Sequence, residues 1–87
     1  MMYEIKLSKE AIKYYKKQTD KIKRLINKAL EDIKRSPYQG TNIKKMQGNQ
    51  TDTYRYRVGD IRILYTTNQR RVLVYVLAIG NRGDIYK

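Results

Sequence analysis

The sequence contains neither cysteine nor histidine, and only eight of its 87 residues are acidic. Lack of cysteine excludes disulfides and thiolate metal sites, while lack of histidine removes the usual general base and the commonest transition-metal ligand. The few carboxylates are scattered and form no close ligand cluster, which disfavours a two-metal nuclease. Any chemistry must therefore use Arg, Lys, Tyr or a carboxylate, and we expect no cofactor and no metal.

Long hydrophobic runs are also missing. The opening stretch "MMYEIKLSKE" has no apolar segment typical of a signal peptide, and no later run approaches the length of a membrane span. We therefore expect a cytoplasmic protein with no membrane partner. A chain of 87 residues predicts one domain, spanning 1–87, with a small core.

Basic residues dominate what is present. Lys and Arg together number 20, for a formal charge of +12, which should attract RNA, DNA or an acidic protein. Up to Asp52 the basic residues are eleven Lys and two Arg, whereas from Thr53 onward they are six Arg and one Lys. The planar guanidinium group matches two phosphate oxygens, while ammonium acts as a point charge. Arginine is thus concentrated in the half of the chain where phosphate geometry would matter.

Two helices are predicted in the first half. Residues Tyr3 to Leu7 indicate a short strand, Ser8 indicates the start of a helix ending near Lys17, and a second helix runs from Asp20 to before Pro37. Its apolar stripe has helical spacing and comprises Ile22, Leu25, Ile26, Ala29, Leu30 and Ile33. The following segment "SPYQGTNIKKMQGNQTD" predicts a long loop carrying Lys44 and Lys45.

The stretch "YRYRVGDIRILY" predicts a hairpin turning at Gly59-Asp60. Glycine in the first turn position suits a type II′ turn, which would pair Val58 with Ile61, Arg57 with Arg62, and Tyr56 with Ile63. Two arginines would then lie side by side, and like charges directly opposite on a sheet are destabilising. Folding alone does not favour this pair, whereas an anion between the two side chains would remove the conflict.

The last apolar run, "VLVYVLAI", predicts a strand buried on both faces. Its antiparallel return would bring Gly80 to Arg82 toward the hairpin turn. The predicted fold is α+β: two N-terminal helices pack on one face of a mainly antiparallel four-stranded sheet, in the order β-α-α-β-β-β. The open face would then display Arg55, Arg57 and Arg62.

Simpler interpretations exist for several residues. Arg55 alone would be an ordinary solvated side chain, and Arg70 and Arg71 fall in a predicted turn. The helix lysines suit a solvated face that adds nonspecific attraction to nucleic acid. Tyr75 is more typical of a core or edge aromatic than of a stacking platform, and composition alone does not decide the role of Tyr86.

The segment "KKMQGNQTDTYRYRVGDIRILY", followed by "VLVYVLAIGNRGDIYK", resembles the RelE toxins of the RelE/ParE superfamily. The resemblance covers the whole chain, and its Y-R-x-R-x-G-D-x-R-x-x-Y and G-N-R-x-D-I-Y motifs are quite specific. It implies a microbial-ribonuclease-like fold and the toxin half of a type II toxin-antitoxin pair. Such toxins bind the ribosomal A site and cut mRNA, so the implied partners are a cognate RelB-like antitoxin, the ribosome and mRNA. The implied catalytic positions are Arg55, Arg57, Arg62, Arg82 and Tyr86.

The chemistry implied is attack of a ribose 2′-OH on the adjacent phosphodiester, without metal, to give a 2′,3′-cyclic phosphate. Arg57 and Arg62 would hold the scissile phosphate, with Arg55 assisting and Arg82 placed toward the leaving oxygen. The best-known member has lysines where Arg55 and Arg57 stand, and arginine effectively cannot lose a proton. Among the positions that the resemblance implies, Tyr86 is the candidate base or RNA-orienting group, because neighbouring guanidinium charge would lower its phenol pKa from about 10. Lys44 and Lys45 would bind RNA or the ribosome.

Two other functions are compatible with the sequence. ParE-type relatives share the fold but act on DNA gyrase by protein binding, and they generally lack the Arg/Lys and Tyr set found here. A basic RNA-binding module without catalysis would need only the helix lysines.

Overall fold

The computed structural model describes residues 2–38, 40–46 and 53–81. Within these ranges two helices and five strands follow in the order β1 (Glu4–Leu7), α1 (Lys9–Lys16), α2 (Asp20–Arg35), β2 (Ile43–Lys45), β3 (Thr53–Val58), β4 (Ile61–Asn68) and β5 (Leu73–Asn81). The predicted α+β order is confirmed, with one strand more than the four expected. Arg82 and Tyr86 lie outside the described residues.

Each helix begins at a side-chain cap. The hydroxyl of Ser8 accepts a hydrogen bond from the backbone nitrogen of Ala11 at 3.1 Å, and Thr19 caps α2 in the same way through Ile22 at 3.3 Å. These bonds satisfy backbone donors that the first turn of a helix leaves open. The predicted apolar stripe of α2 faces the sheet, where Ile26, Ala29 and Ile33 are buried.

The five strands form one sheet in the order β1-β5-β4-β3-β2. Only β1 and β5 pair in parallel; the other pairs are antiparallel. The strand that the sequence did not predict, β2, has three residues and pairs with β3 through Ile43 opposite Tyr56. A loop was expected there because so short a strand is surrounded by Gly, Asn, Gln and Thr, and its pairing with β3 holds it in place.

Tyrosine supplies every aromatic ring in the core, since the chain has no Phe and no Trp. The rings of Tyr54 and Tyr65 are stacked at 5.7 Å, and Tyr38 meets Tyr54 edge-on at 5.4 Å. The hydroxyl of Tyr65 donates to the carbonyl of Pro37 at 2.7 Å. Such bonds matter because a buried hydroxyl without a partner is costly.

The prediction that the last strand is buried on both faces is wrong. Val74, Val76 and Ile79 are buried, whereas Tyr75 and Leu77 are 40% and 36% exposed. Both helices pack on one face of the sheet, in a single core cluster with the buried strand residues, so neither helix covers the opposite face. An apolar run does not reveal whether one or both faces of its strand are covered. In the described part of the chain, no helix is long and apolar enough to cross a membrane.

Candidate functional site

The hairpin turn has the predicted geometry. Gly59 has a positive φ of +56°, whereas the φ of Asp60 is not positive. This combination is the one found in a type II′ turn. The predicted register is confirmed at all three pairs: Val58 with Ile61, Arg57 with Arg62, and Tyr56 with Ile63. Glycine is needed at position 59 because other residues rarely adopt that backbone conformation.

Arg57 and Arg62 form the closer type of cross-strand pair. The backbone nitrogen of Arg57 donates to the carbonyl of Asn42 at 2.9 Å, so its backbone groups point away from β4. Arg57 and Arg62 are therefore a non-hydrogen-bonded pair, in which the Cα atoms are about 4.5 Å apart. The two arginines are direct cross-strand neighbours, as the sequence predicted, and like charges in this arrangement repel each other.

Depth within the sheet distinguishes the two arginines. Arg57 is exposed and Arg55 is half-buried, but only 5% of Arg62 is exposed, so the expectation that the open face displays all three is wrong for Arg62. Its Nη1 donates to the carbonyls of Gly59 at 3.2 Å and Ile61 at 3.4 Å, which draws the side chain back over the turn. Period-two alternation assigns a residue to a face of the sheet and does not report how deeply it lies.

Arg62 has no carboxylate partner in the described part of the chain. The ion pairs there join Lys34 to Glu31 and Arg35 to Asp32. Taking a charge out of water is costly unless it is paired, and two carbonyl acceptors offset only part of that cost. A bound anion would therefore interact strongly with this guanidinium.

A second pair of like charges, missed by the sequence analysis, lies beside the first. Lys44 on β2 is directly opposite Arg55 on β3. Register places it on the face of Arg55 and Arg57, because residues paired across a ladder share a face and alternate residues return to it. We call Lys44, Arg55, Arg57 and Arg62 the basic quartet. Detecting it from sequence required knowing that β2 is a strand.

Lys45 does not belong to this group. It is opposite Tyr54, whose ring is in the core, so its side chain leaves β2 on the helix-covered side of the sheet. Of the two lysines predicted to bind RNA or the ribosome, the structure brings only Lys44 to the arginines.

An open cleft of about 490 Å³ adjoins the quartet. It is lined by Lys44, Arg55 and Arg57 together with Thr41, Asn42 and Ile43. Three cations and two neutral polar residues can hold an anion such as phosphate, and none of the described residues that line the cleft is acidic. In the ranges that the structure describes, no group of three or more Asp or Glu residues could hold a metal ion.

The end of β5 lies where the sequence predicted. Gly80 is opposite Arg62, and Asn81 is opposite Ile61, next to the hairpin turn. The hydroxyl of Tyr14 donates to Oδ1 of Asn81 at 2.7 Å, which ties this strand end to α1. Arg82 and Tyr86, the two remaining predicted catalytic residues, follow in the part of the chain outside the described residues.

Two tyrosines of the hairpin are unsuited to act as a base. Burial and a hydrogen bond of 2.7 Å to Oδ2 of Asp32 raise the pKa of Tyr56 above its ordinary value. Burial likewise raises the pKa of Tyr65 far above the ordinary value. Both hydroxyls therefore stay protonated at neutral pH.

Comparison with known families identifies the fold. A family model described as "ParE toxin of type II toxin-antitoxin system, parDE" matches residues 5–86, nearly the whole chain. The chain belongs to the RelE/ParE superfamily of type II toxins. No curated protein sequence matches this toxin at a significant level.

Solved structures show that this toxin has the RelE fold. RelE of the archaeal RelE-RelB complex from Pyrococcus horikoshii OT3 is 24% identical, with a TM-score of 0.82 over 97% of this chain and 99% of that one. A chain of the RelBE2 toxin-antitoxin complex from Mycobacterium tuberculosis is 22% identical, with a TM-score of 0.79 over 94% and 100%. The intact Escherichia coli RelBE complex gives 23% identity and a TM-score of 0.78 over 91% and 95%. At these identities the similarity is evidence for the fold alone.

Proposed function

We propose that this toxin is a ribosome-dependent endoribonuclease that cuts mRNA and so inhibits translation. The observation that carries the proposal is the pairing of like charges in two neighbouring rows, Lys44 with Arg55 and Arg57 with Arg62, beside an open cleft. The opposition of Arg57 and Arg62 is unfavourable in the free protein and becomes favourable when a phosphate lies between the two side chains. The substrate class is therefore a phosphodiester.

The reaction is attack of the ribose 2′ oxygen on the adjacent phosphorus, with departure of the 5′ oxygen of the next nucleotide. The 2′-OH gives up its proton to a base as the new oxygen–phosphorus bond forms, and the 5′ oxygen takes up a proton as its bond to phosphorus breaks, so the products are a 2′,3′-cyclic phosphate and a 5′-OH end. Arg57, which is exposed, contacts the phosphate directly, and Arg62 adds positive charge from beneath. Charge fixed in place before the reaction stabilises the doubly charged transition state without reorganisation. Arg55 and Lys44 hold the neighbouring phosphate of the strand.

Tyr86 and Arg82 complete the proposed chemistry. Arginine does not lose its proton at neutral pH, and the raised pKa values of Tyr56 and Tyr65 keep both hydroxyls protonated. The resemblance to RelE toxins makes Tyr86 the proposed base or RNA-orienting group and places Arg82 near the leaving oxygen. The proposed partners are a RelB-like antitoxin, the ribosome and mRNA, in the cytoplasm.

The antitoxin proposal is supported by the solved relatives, since the Pyrococcus, Mycobacterium and E. coli toxins are all seen in complexes with an antitoxin. The net charge of +12 adds a physical reason. An acidic partner would reduce self-repulsion within the toxin and would compete with RNA for the quartet.

Gyrase binding is a second candidate function, because the matching family model is described as a ParE toxin. ParE-type toxins act on DNA gyrase through protein contacts and have no need of paired cations at a cleft. A basic RNA-binding module without catalysis is a third candidate, and it would bind RNA without cutting it.

Product analysis separates these functions. The purified toxin is added to ribosomes programmed with a defined mRNA, and a parallel reaction contains DNA gyrase and relaxed plasmid. We expect mRNA fragments with 2′,3′-cyclic phosphate and 5′-OH ends, no cutting when the scissile nucleotide is 2′-deoxy, and unchanged supercoiling. Fragments ending in 3′-OH would contradict the mechanism. Loss of supercoiling with intact mRNA would instead identify a ParE-type toxin.

A further inference from the structure

The open face of the sheet carries an exposed tyrosine beside the basic quartet. Tyr75 on β5 is 40% exposed, and among the described residues its hydroxyl has no hydrogen-bond partner. It is a large exposed aromatic residue on the central part of the sheet rather than at a helix or turn. From the sequence, this residue was more typical of a core or edge aromatic than of a stacking platform.

Polar residues flank Tyr75 along its row of the sheet. Thr66 of β4 lies opposite it on one side and Lys6 of β1 on the other. Lys6 is exposed, and its register opposite Tyr75 places its side chain on the same face of the sheet as the ring. Glu4, in the next row opposite Leu73, is also exposed and limits the basic character on that side.

Tyr75 is close to the basic quartet along the same face of the sheet. Its cross-strand neighbour Thr66 is also opposite Thr53 of β3, and Thr53 is two residues before Arg55 on the same strand face. With a rise of about 3.3 Å per residue and about 4.8 Å between strands, the Cα atoms of Arg55 and Tyr75 are about 12 Å apart. A short stretch of single-stranded RNA can span that distance.

We infer that Tyr75 is a stacking platform for one unpaired base of an RNA strand whose phosphates lie on the basic quartet, with Lys6 contacting a phosphate beside that base. Stacking on an exposed aromatic ring, next to cations that follow the backbone, is the general way in which proteins hold single-stranded RNA. The inference rests on the proposed function for the identity of the ligand, and it adds a base-binding position outside the predicted catalytic set.

RNA fits this surface better than an apolar protein segment does. Leu77 is exposed on the same strand, but the residues flanking Tyr75 in its row are Thr66 and Lys6. A protein segment docked by apolar burial would use Leu77 as much as Tyr75. Stacking depends on the aromatic ring alone, so substitutions at these two residues distinguish the occupants.

Binding of a short single-stranded RNA tests the inference. The probe is a 2′-O-methyl oligoribonucleotide carrying 2-aminopurine, whose fluorescence falls when the base stacks on a ring. We expect Tyr75→Ala to weaken binding by about 5- to 150-fold and to remove the quenching. Tyr75→Phe, which keeps the ring, and Leu77→Ala, the matched control, should each bind within about twofold of wild type. Thermal unfolding checks that each variant is folded.

Two results would overturn the inference: binding and quenching by Tyr75→Ala that match wild type, or equal losses for Tyr75→Ala and Leu77→Ala. Because 2′-O-methylation blocks attack, this assay does not depend on cleavage. Tyr75-dependent binding by a protein that never cuts mRNA would support the inference while contradicting the ribonuclease proposal. Normal mRNA cleavage with Tyr75-independent binding would contradict the inference and leave the ribonuclease proposal standing.

Discussion

Arg57 and Arg62 are direct cross-strand partners, yet Arg57 is exposed while Arg62 is only 5% exposed and donates to the carbonyls of the hairpin turn. Repulsion from Arg62 favours an Arg57 side chain that extends into the cleft it lines, and the two hydrogen bonds to the turn restrain Arg62. In the proposed ribonuclease, Arg57 would reach the phosphate and Arg62 would provide a fixed charge beneath it.

Two substitutions of Arg62 should affect stability differently. Arg62→Ala leaves a void at a buried position and should lower the free energy of unfolding by about 1 to 3 kcal/mol. Arg62→Met keeps most of the volume and removes the unpaired charge, so stability should be unchanged or up to about 1 kcal/mol higher. Urea unfolding measures both. Equal destabilisation by the two substitutions would show that the hydrogen bonds to the turn carbonyls dominate.

The two adjacent lysines of β2 should differ in RNA binding. Lys44 lies opposite Arg55 and lines the cleft, whereas Lys45 leaves the strand on the other face. We expect Lys44→Ala to lower affinity for single-stranded RNA and to reduce the slope of log K against log salt by about 0.7, the effect of one lost phosphate contact. Lys45→Ala has the same charge change and serves as the control. Identical slopes for the two variants would contradict the assignment of Lys44.

Stability should fall at alkaline pH because of the tyrosine core. The pKa of Tyr65 is raised far above its ordinary value of 10.0, chiefly by burial. A raised pKa in the folded state means that the stabilisation is complete below about pH 10 and is lost as the pH rises beyond it. The free energy of unfolding of Tyr65→Phe should therefore fall less steeply above about pH 10 than that of the wild type. At pH 7 it should be about 1 to 3 kcal/mol less stable, because the carbonyl of Pro37 loses its donor. Urea titrations between pH 7 and 11 test both expectations.

Capture by an antitoxin should weaken as salt rises. The charge of +12 provides long-range attraction that salt screens within about 10 Å at 0.1 M. We expect the association rate, measured by stopped-flow fluorescence with a labelled RelB-like antitoxin, to fall at least tenfold between low and physiological salt. An association rate that does not change with ionic strength would show that apolar contacts alone drive capture.

The sequence predicted the hairpin well because its determinants are local. Gly59 specifies the turn, and the turn specifies the register that opposes Arg57 and Arg62. The features that the sequence did not reveal depend on contacts between distant segments. Strand β2 exists through its pairing with β3, and its position decides that Lys44 joins the arginines while Lys45 does not.

Burial depth was the other quantity that local pattern could not supply. Arg57 on β3 and Arg62 on β4 occupy equivalent positions in two alternating strands. Their exposures differ because the Arg62 side chain hydrogen-bonds back to the turn. Tyr75 belongs to an apolar run that predicted two buried faces, and it is exposed because both helices pack on the same side of the sheet. Arg82 and Tyr86 stay predictions made from the sequence.

If the opposed arginines serve a phosphate at a cost to folding, Arg57→Ala should leave the fold intact and abolish most of the cleavage. The matched control is Arg70→Ala, which removes the same exposed side chain from the turn at the other end of β4. For Arg57→Ala we expect stability unchanged or higher by about 0.2 to 1 kcal/mol. Single-turnover cleavage of mRNA on the ribosome should fall by about two to three orders of magnitude, while Arg70→Ala cuts at the wild-type rate. If Arg57→Ala cuts mRNA as fast as Arg70→Ala does, the claim is wrong.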